Sequence, residues 1–357
     1  MQNSENKNVW YSFPKVELHR HLEGTFDLKT LFRIAKKNRL EVPGDYPTFQ
    51  KFFQFPKDSK PDFQLFLSKF KNTWYRSQED VFDITYDSVK ALKNDGIFYI
   101  ELRFNPEHFA AYNDFDRQEI TTIIIQAANR AAAEAGVRIK YLITFNRGQY
   151  DQKYFINLYR KIVDLKLDDI VGIDLAGDEE NFKIGLFSDL FKIINDEKKY
   201  KTTIHAGEVT PSSEIWAALE MQAARIGHGT STIHDVKLQE HLKKNRIPLE
   251  QCITSNYQTG SWSDEPNHPM GRLFRLGVPV TINSDDPTIQ DTDLSEDYAK
   301  AEKYFDFTVE DFTALNLTAI ETCFLSPAEK EGLKKDYLLA VEKFRKTHPA
   351  LLKMGAI

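Results

Sequence analysis

The sequence predicts an α/β fold, specifically a (β/α)8 TIM barrel with extra helices after strand one and at the C-terminus. Three observations predict it. Short β-branched or apolar runs alternate with longer segments of helical periodicity. Eight such runs occur in 357 residues, a length that one barrel domain spanning 1–357 accommodates. Ionisable residues gather where several runs end, and barrel enzymes keep their active sites at the C-terminal ends of their strands.

The first run is "KVELH" at 15–19. It continues into "RHLEG", and in a strand residues i and i+2 share a face. Glu17, His19, His21 and Glu23 are therefore expected on one side, provided the strand runs that far, with Val16, Leu18 and Leu22 on the other. Residues 20–96 then form an unusually long connection. Within it Phe63, Phe66, Leu67 and Phe70 recur at helical spacing. They fit a helix packed on the barrel, or an apolar lid over its mouth formed by a helical insertion at about 60–95.

The remaining strands are expected at 97–104 ("IFYIELRF"), 137–145, 170–176 ("IVGIDLA"), 201–206 ("KTTIHA"), 224–228, 248–253 and 278–283 ("VPVTIN"). Helical patterns separate most of them, such as "QEITTIIIQAANRAAAEAG", with Gly136 as its C-cap. A doubly wound open sheet is the competing topology, but it normally carries a Gly-rich phosphate turn after strand one, and "HRHLEGTF" is not one.

Composition narrows the function classes. The chain has 47 Lys and Arg against 53 Asp and Glu, a net charge of −6 without a basic run, which argues against nucleic-acid binding. Two cysteines, Cys252 and Cys323, form no disulfide framework and suit a reducing compartment. The N-terminus does not read as a signal peptide and no window reads as a membrane span, so a cytoplasmic protein without a membrane partner is expected. "NLT" at Asn316 matches a glycosylation sequon and is taken as coincidence.

Four strand ends carry chemistry. Strand one supplies His19 and His21, strand five His205 with Glu208 three residues on, strand six His228, and strand eight Asp285 and Asp286. Each has a bland meaning alone, as a turn or cap residue. Four such endings on one rim do not fit that reading, because buried unpaired charge is costly. Three imidazoles and one carboxylate suit Zn²⁺, with water in the open position. His19, His21, His205 and Asp285 are the expected ligands, Glu208 and His228 are left for acid/base work, and Asp286 for orientation. Zinc would lower the pKa of its water. His108, His234, His241, His268 and His348 are assigned to surface or core.

These motifs, "KVELHRHLEG", "DLAGDE" at 174–179, "HAGE", "RIGHG", "SNYQTG" and "TINSDDP", resemble the adenosine deaminase family of the amidohydrolase superfamily from about residue 14 to beyond 320. The resemblance implies one Zn²⁺ per chain on His19, His21, His205 and Asp285, and a purine nucleoside as substrate. It implies that Glu208 protonates purine N1. His228 would position the zinc-bound water and help deprotonate it, and Asp286 would bond the incoming hydroxide or N7. The pocket would include His21, Glu23 and the Gly177 N–H, the last against N3. Phe63, Phe66, Leu67 and Phe70 match the family's apolar gate. The implied reaction is hydrolytic deamination of adenosine and 2′-deoxyadenosine to inosine and 2′-deoxyinosine, a purine-salvage step; a monomer is expected, although no sequence feature fixes the oligomeric state.

Glu23 departs from the family's usual "HLDG", whose Asp reaches the ribose 5′-hydroxyl. One extra methylene moves a carboxylate by about 1.5 Å and resembles relatives acting on free adenine or other 6-aminopurines. Gly227 and "SNYQTG" look instead like nucleoside deaminases. Arg20, Arg103 and Arg147 near strand ends leave a phosphate-bearing substrate open. Strand four ends without the lysine that bridges two metals in other amidohydrolases, which favours one metal. A catalytically dead barrel acting as a binding protein would lack a ligand or the acid; none is missing.

Overall fold

The computed structural model describes residues 8–56 and 59–349. Eight parallel strands run in sequence order: β1 Lys15–His21, β2 Ile97–Phe104, β3 Arg138–Arg147, β4 Ile170–Gly177, β5 Lys201–Ala206, β6 Arg225–His228, β7 Leu249–Gln251 and β8 Val280–Ile282. The ring closes through Asp285, whose N–H donates to His19 O and whose carbonyl accepts from His21 N–H, both at 3.0 Å. The predicted barrel is the observed one. Among the described residues no helix is long and apolar enough to cross a membrane.

Local chemistry explains the helices. Asp116 caps the helix Arg117–Ala135 by accepting from Gln118 and Glu119 N–H at 2.9 Å, and Gly136 ends it at φ +72°. The expected C-terminal helices are Val309–Thr322, against β1 and β8, and Pro327–Thr347. Asn316 is buried in the first of these, accepting from Val16 N–H at 2.8 Å, so its sequon is structural.

Three expectations are corrected. β7 stops at Gln251 rather than 253, because Cys252 opens the helix Ile253–Gln258. β1 does not keep strict alternation. Glu17 pairs with Ile100 and Arg20 with Leu102, so two residues of β1, Leu18 and His19, face one of β2. This bulge resets the faces. Glu17 turns away from the histidines to meet Arg20 and Ser284. Finally, the segment about 60–95 is not all lid. The helix Phe63–Leu67 lies at the barrel mouth, whereas Gln78–Ala91 buries Val81, Ile84 and Val89 in the outer layer and packs on Arg117–Ala135.

Candidate active site

β1 and β5 and the loop after β8 bring three imidazoles and a carboxylate to one point. His19 Nε2 and His21 Nε2 lie 3.2 and 3.4 Å from Asp285 Oδ1, and His21 Nε2 lies 3.3 Å from His205 Nε2. The four donor atoms all lie within 4.8 Å of one another, and all four residues are buried. Such an approach of buried acceptors suits a shared cation. Asp285 sits at φ +65°, a backbone state that non-glycine residues adopt at a cost.

Two of the three ring nitrogens turned away from this point are held by carboxylates. His19 Nδ1 meets Glu250 Oε2 at 2.7 Å and His205 Nδ1 meets Asp174 Oδ1 at 3.0 Å. A carboxylate behind each of these two imidazoles fixes its tautomer and leaves Nε2 free as a ligand atom. Those carboxylates are in turn held by Arg103, 2.8 Å from Glu250 and 3.4 Å from Asp174, and by Arg225, 2.6 Å from Glu250. Burial would raise both acids, but His205 and Arg103 hold Asp174 below the usual carboxylate range, and Arg103 and Arg225 do so for Glu250. Burial lowers His21 and His205, favouring the neutral rings a metal requires. For His19 burial works the same way, yet the Asp285 and Glu250 carboxylates outweigh it and raise it. A proton and a cation would compete for that nitrogen.

These residues fit a zinc ion: His19 Nε2 is buried without a hydrogen-bond partner among the described residues, and the donor set is three imidazoles and a carboxylate. His228, Cys252 and Asp285 also come close together. Burial keeps the Cys252 thiol well above its usual range, so that group is the poorer ligand set.

Glu208 and His228 face each other across the site, His228 Nε2 lying 3.6 Å from Glu208 Oε2. Burial, then the charges of Asp285 and Glu179, push Glu208 well above the ordinary carboxyl range, so it is poised to carry a proton. Glu179, the last residue of "DLAGDE", accepts from Val209 N–H at 2.5 Å and Thr210 N–H at 3.1 Å and so anchors the turn that presents Glu208. His228 stands at φ +57° between Gly227 and Gly229. Asp286 lies against Gly24, where a Cβ would come within 1.9 Å of its Oδ1, so only glycine fits there.

A cavity of about 200 Å³ opens on this cluster. Phe63, Phe66, Leu67 and Phe70 line one wall, and Ala176, Gly177 and Asp178 another. Gly177 has φ +88°, and a Cβ would approach the Arg147 backbone to 2.9 Å. Glu23 also lines the cavity although β1 ends at His21. Its Oε1 accepts from Asn105 N–H at 2.6 Å, its Oε2 has no partner among the described residues, and burial raises its pKa to about 8.

All the residues expected at the site are therefore brought together. Sequence reasoning missed Asp174, Glu179 and Glu250, and it placed His108 in surface or core although it lines the cavity. Of the three arginines, Arg20 and Arg103 are taken up by carboxylates, while Arg147 lines the cavity with its guanidinium against the His205 carbonyl.

A family model described as "Adenosine deaminase" matches residues 14–338. An adenosine deaminase from Edwardsiella ictaluri (strain 93-146) is 31% identical over 327 residues, covering 90% of this chain and 97% of the relative. The adenine deaminase of Arthrobacter aurescens has the same fold, with TM-score 0.84 and 23% identity over 92% of this chain and 99% of that one. An amidohydrolase from Burkhoderia ambifaria, solved with bound Zn, superposes with TM-score 0.87 at 19% identity, covering 98% and 96%.

Proposed function

Because the chain belongs to the adenosine deaminase family, we propose that it hydrolyses adenosine and 2′-deoxyadenosine to the inosines and ammonia. One observation carries this reading: a buried carboxyl raised toward its protonated form, Glu208, stands opposite a His3Asp cluster at the mouth of one cavity. One Zn²⁺ held by His19, His21, His205 and Asp285 would supply a water acidic enough to attack near neutral pH.

The chain's own groups do the rest. Attack at C6 breaks the ring's aromaticity and builds charge on N1, so a proton must be available there. Glu208 holds that proton because it is desolvated and faces other carboxylates. His228 and Asp286 flank the attacking oxygen. Gly177 borders the cavity and brings no side chain to it, so its backbone N–H can meet the edge of a flat base. The phenylalanines of the short helix exclude water from the ring face, which strengthens each polar contact.

Glu23 supports a second reading of the substrate's tail. Its free Oε2 borders the cavity, and the longer carboxylate fits free adenine or another 6-aminopurine as well as a sugar hydroxyl. Ammonia release from adenosine, 2′-deoxyadenosine, adenine and adenosine 5′-monophosphate separates the two. Turnover of both nucleosides is expected; turnover of adenine alone would transfer the assignment to the free base, and turnover of none would overturn deamination.

A further inference from the structure

His228 has polar groups behind it as well as in front. Its Nδ1 lies 3.0 Å from Asn256 Nδ2, and Asn256 Oδ1 lies 3.0 Å from His268 Nε2. Beyond His268, the backbone N–H of Met270 meets His268 Nδ1 at 3.3 Å. All three side chains are buried. None of these three side chains is one of the four expected ligands His19, His21, His205 and Asp285.

The outermost link, Met270 N–H to His268 Nδ1, decides the direction of the others. A backbone N–H can only donate, so His268 Nδ1 accepts and the neutral ring carries its proton on Nε2. Burial keeps His268 neutral, lowering its pKa to about 3. Its Nε2–H then donates to Asn256 Oδ1, which turns the amide NH2 toward His228. His228 Nδ1 must accept, so its own proton sits on Nε2, the nitrogen facing Glu208 Oε2 at 3.6 Å and Asp285 Oδ2 at 3.9 Å. Reversing the Asn256 amide would require His268 to carry Nδ1–H, setting two donors against each other at the Met270 amide.

We propose that this relay fixes His228 as a hydrogen-bond donor to the attacking oxygen, with Asn256 and His268 as its positioning residues. The inference rests on the deaminase reading and changes one role within it. A nitrogen that already carries a proton is not the base that the family resemblance implies. As the bond from oxygen to C6 forms, the water's proton therefore passes to a carboxylate of the site, while Glu208 gives its proton to N1.

Asn256→Asp separates the two roles. An aspartate accepts from Nδ1–H and forces the other tautomer; behind a base it would orient and strengthen it, as in Ser-His-Asp triads. The relay predicts that kcat falls roughly 100-fold with KM within about threefold. His268→Phe, which frees the amide to turn, should cost roughly tenfold in kcat, and His268→Gln, whose amide can still donate to Asn256, should recover most of it. Asn256→Asp turning over at or above the wild-type rate would overturn the proposal. Should that variant not fold, long-range ¹H–¹⁵N spectra of the zinc-loaded wild-type protein identify the protonated nitrogen directly. Nε2–H on His228 supports the relay and Nδ1–H overturns it. If the wild-type protein deaminates no 6-aminopurine, the functional reading falls, and the spectrum still decides the relay.

Discussion

Two groups of buried charge flank the seam between β1 and β8, and they follow opposite rules. On the outer side each charge meets an opposite charge or a polar backbone. Arg20 pairs with Glu17 and Asp95, each at 2.9 Å, while Asp95 also accepts from Leu294 and Ser295 N–H. Lys15 donates to the carbonyls of Trp10, Phe13 and Asp95. On the inner side acceptors converge on acceptors: His19, His21, His205 and Asp285 point ligand atoms at one spot, and Asp286 Oδ1 and Glu23 Oε2 have no partner among the described residues. Burying charge is tolerable only when something neutralises it. Outside, the chain supplies that partner itself; inside, it leaves the role to a metal and a substrate. The β1 bulge separates the two groups by sending Glu17 outward and the histidines inward.

The largest effect that would sharpen this contrast is loss of the inner acid. Glu208→Gln should lower ammonia release roughly 10³-fold while leaving the thermal midpoint no lower, since a desolvated carboxyl is replaced by a neutral amide. A variant that keeps its activity would remove Glu208 from the chemistry. Next comes the outer network. Asp95→Ala leaves Arg20 short of a partner and should cost ~3 kcal/mol in urea unfolding, with kcat/KM of the folded protein within about twofold. Equal damage to activity would erase the distinction between the two sides.

Smaller effects follow. Phe66→Ala removes apolar surface from the cavity wall and should raise KM for adenosine roughly tenfold with kcat largely kept; a loss confined to kcat would mean that the helix acts on the chemistry instead. The smallest concerns Lys15, whose pKa burial lowers to about 8 against the partial support of Asp95. The unfolded chain, with a lysine pKa near ~10.4, binds more protons than the folded one between these values, so stability gains a rising contribution from about pH 8 to ~10.4. Melting curves of Lys15→Met should lack that rise, and an unchanged slope would show that Lys15 is no more desolvated than a surface lysine.

Most of the fold, and the gathering of the candidate site residues on one rim, was legible in the sequence because both follow from local rules. Strand runs end on His or Asp whatever the rest of the chain does. What stayed hidden depends on distant partners. Glu250 reads as one acid in "PLEQC", and only folding sets it against Arg103, 147 positions away, and His19, 231 away. Asp174 is likewise explained only by His205 and Arg103. The end of β7 was misplaced because "QCIT" suits a strand or a helix equally, and short apolar runs carry no period to decide between them. The β1 bulge leaves no trace in the alternation that it breaks. His268 looked isolated because its meaning lies in a hydrogen-bond direction set by the Met270 amide.

The most direct test of the central claim is a titration of Zn²⁺ into chelator-treated protein while ammonia release from adenosine is followed. Turnover should be lost on chelation, rise in proportion to added zinc, and level off at about one ion per chain, as expected for a single site with three imidazoles and one carboxylate. Full turnover in the metal-free protein, or a plateau reached only at two ions, would contradict the reading of the β1–β8 mouth as a one-zinc deaminase site.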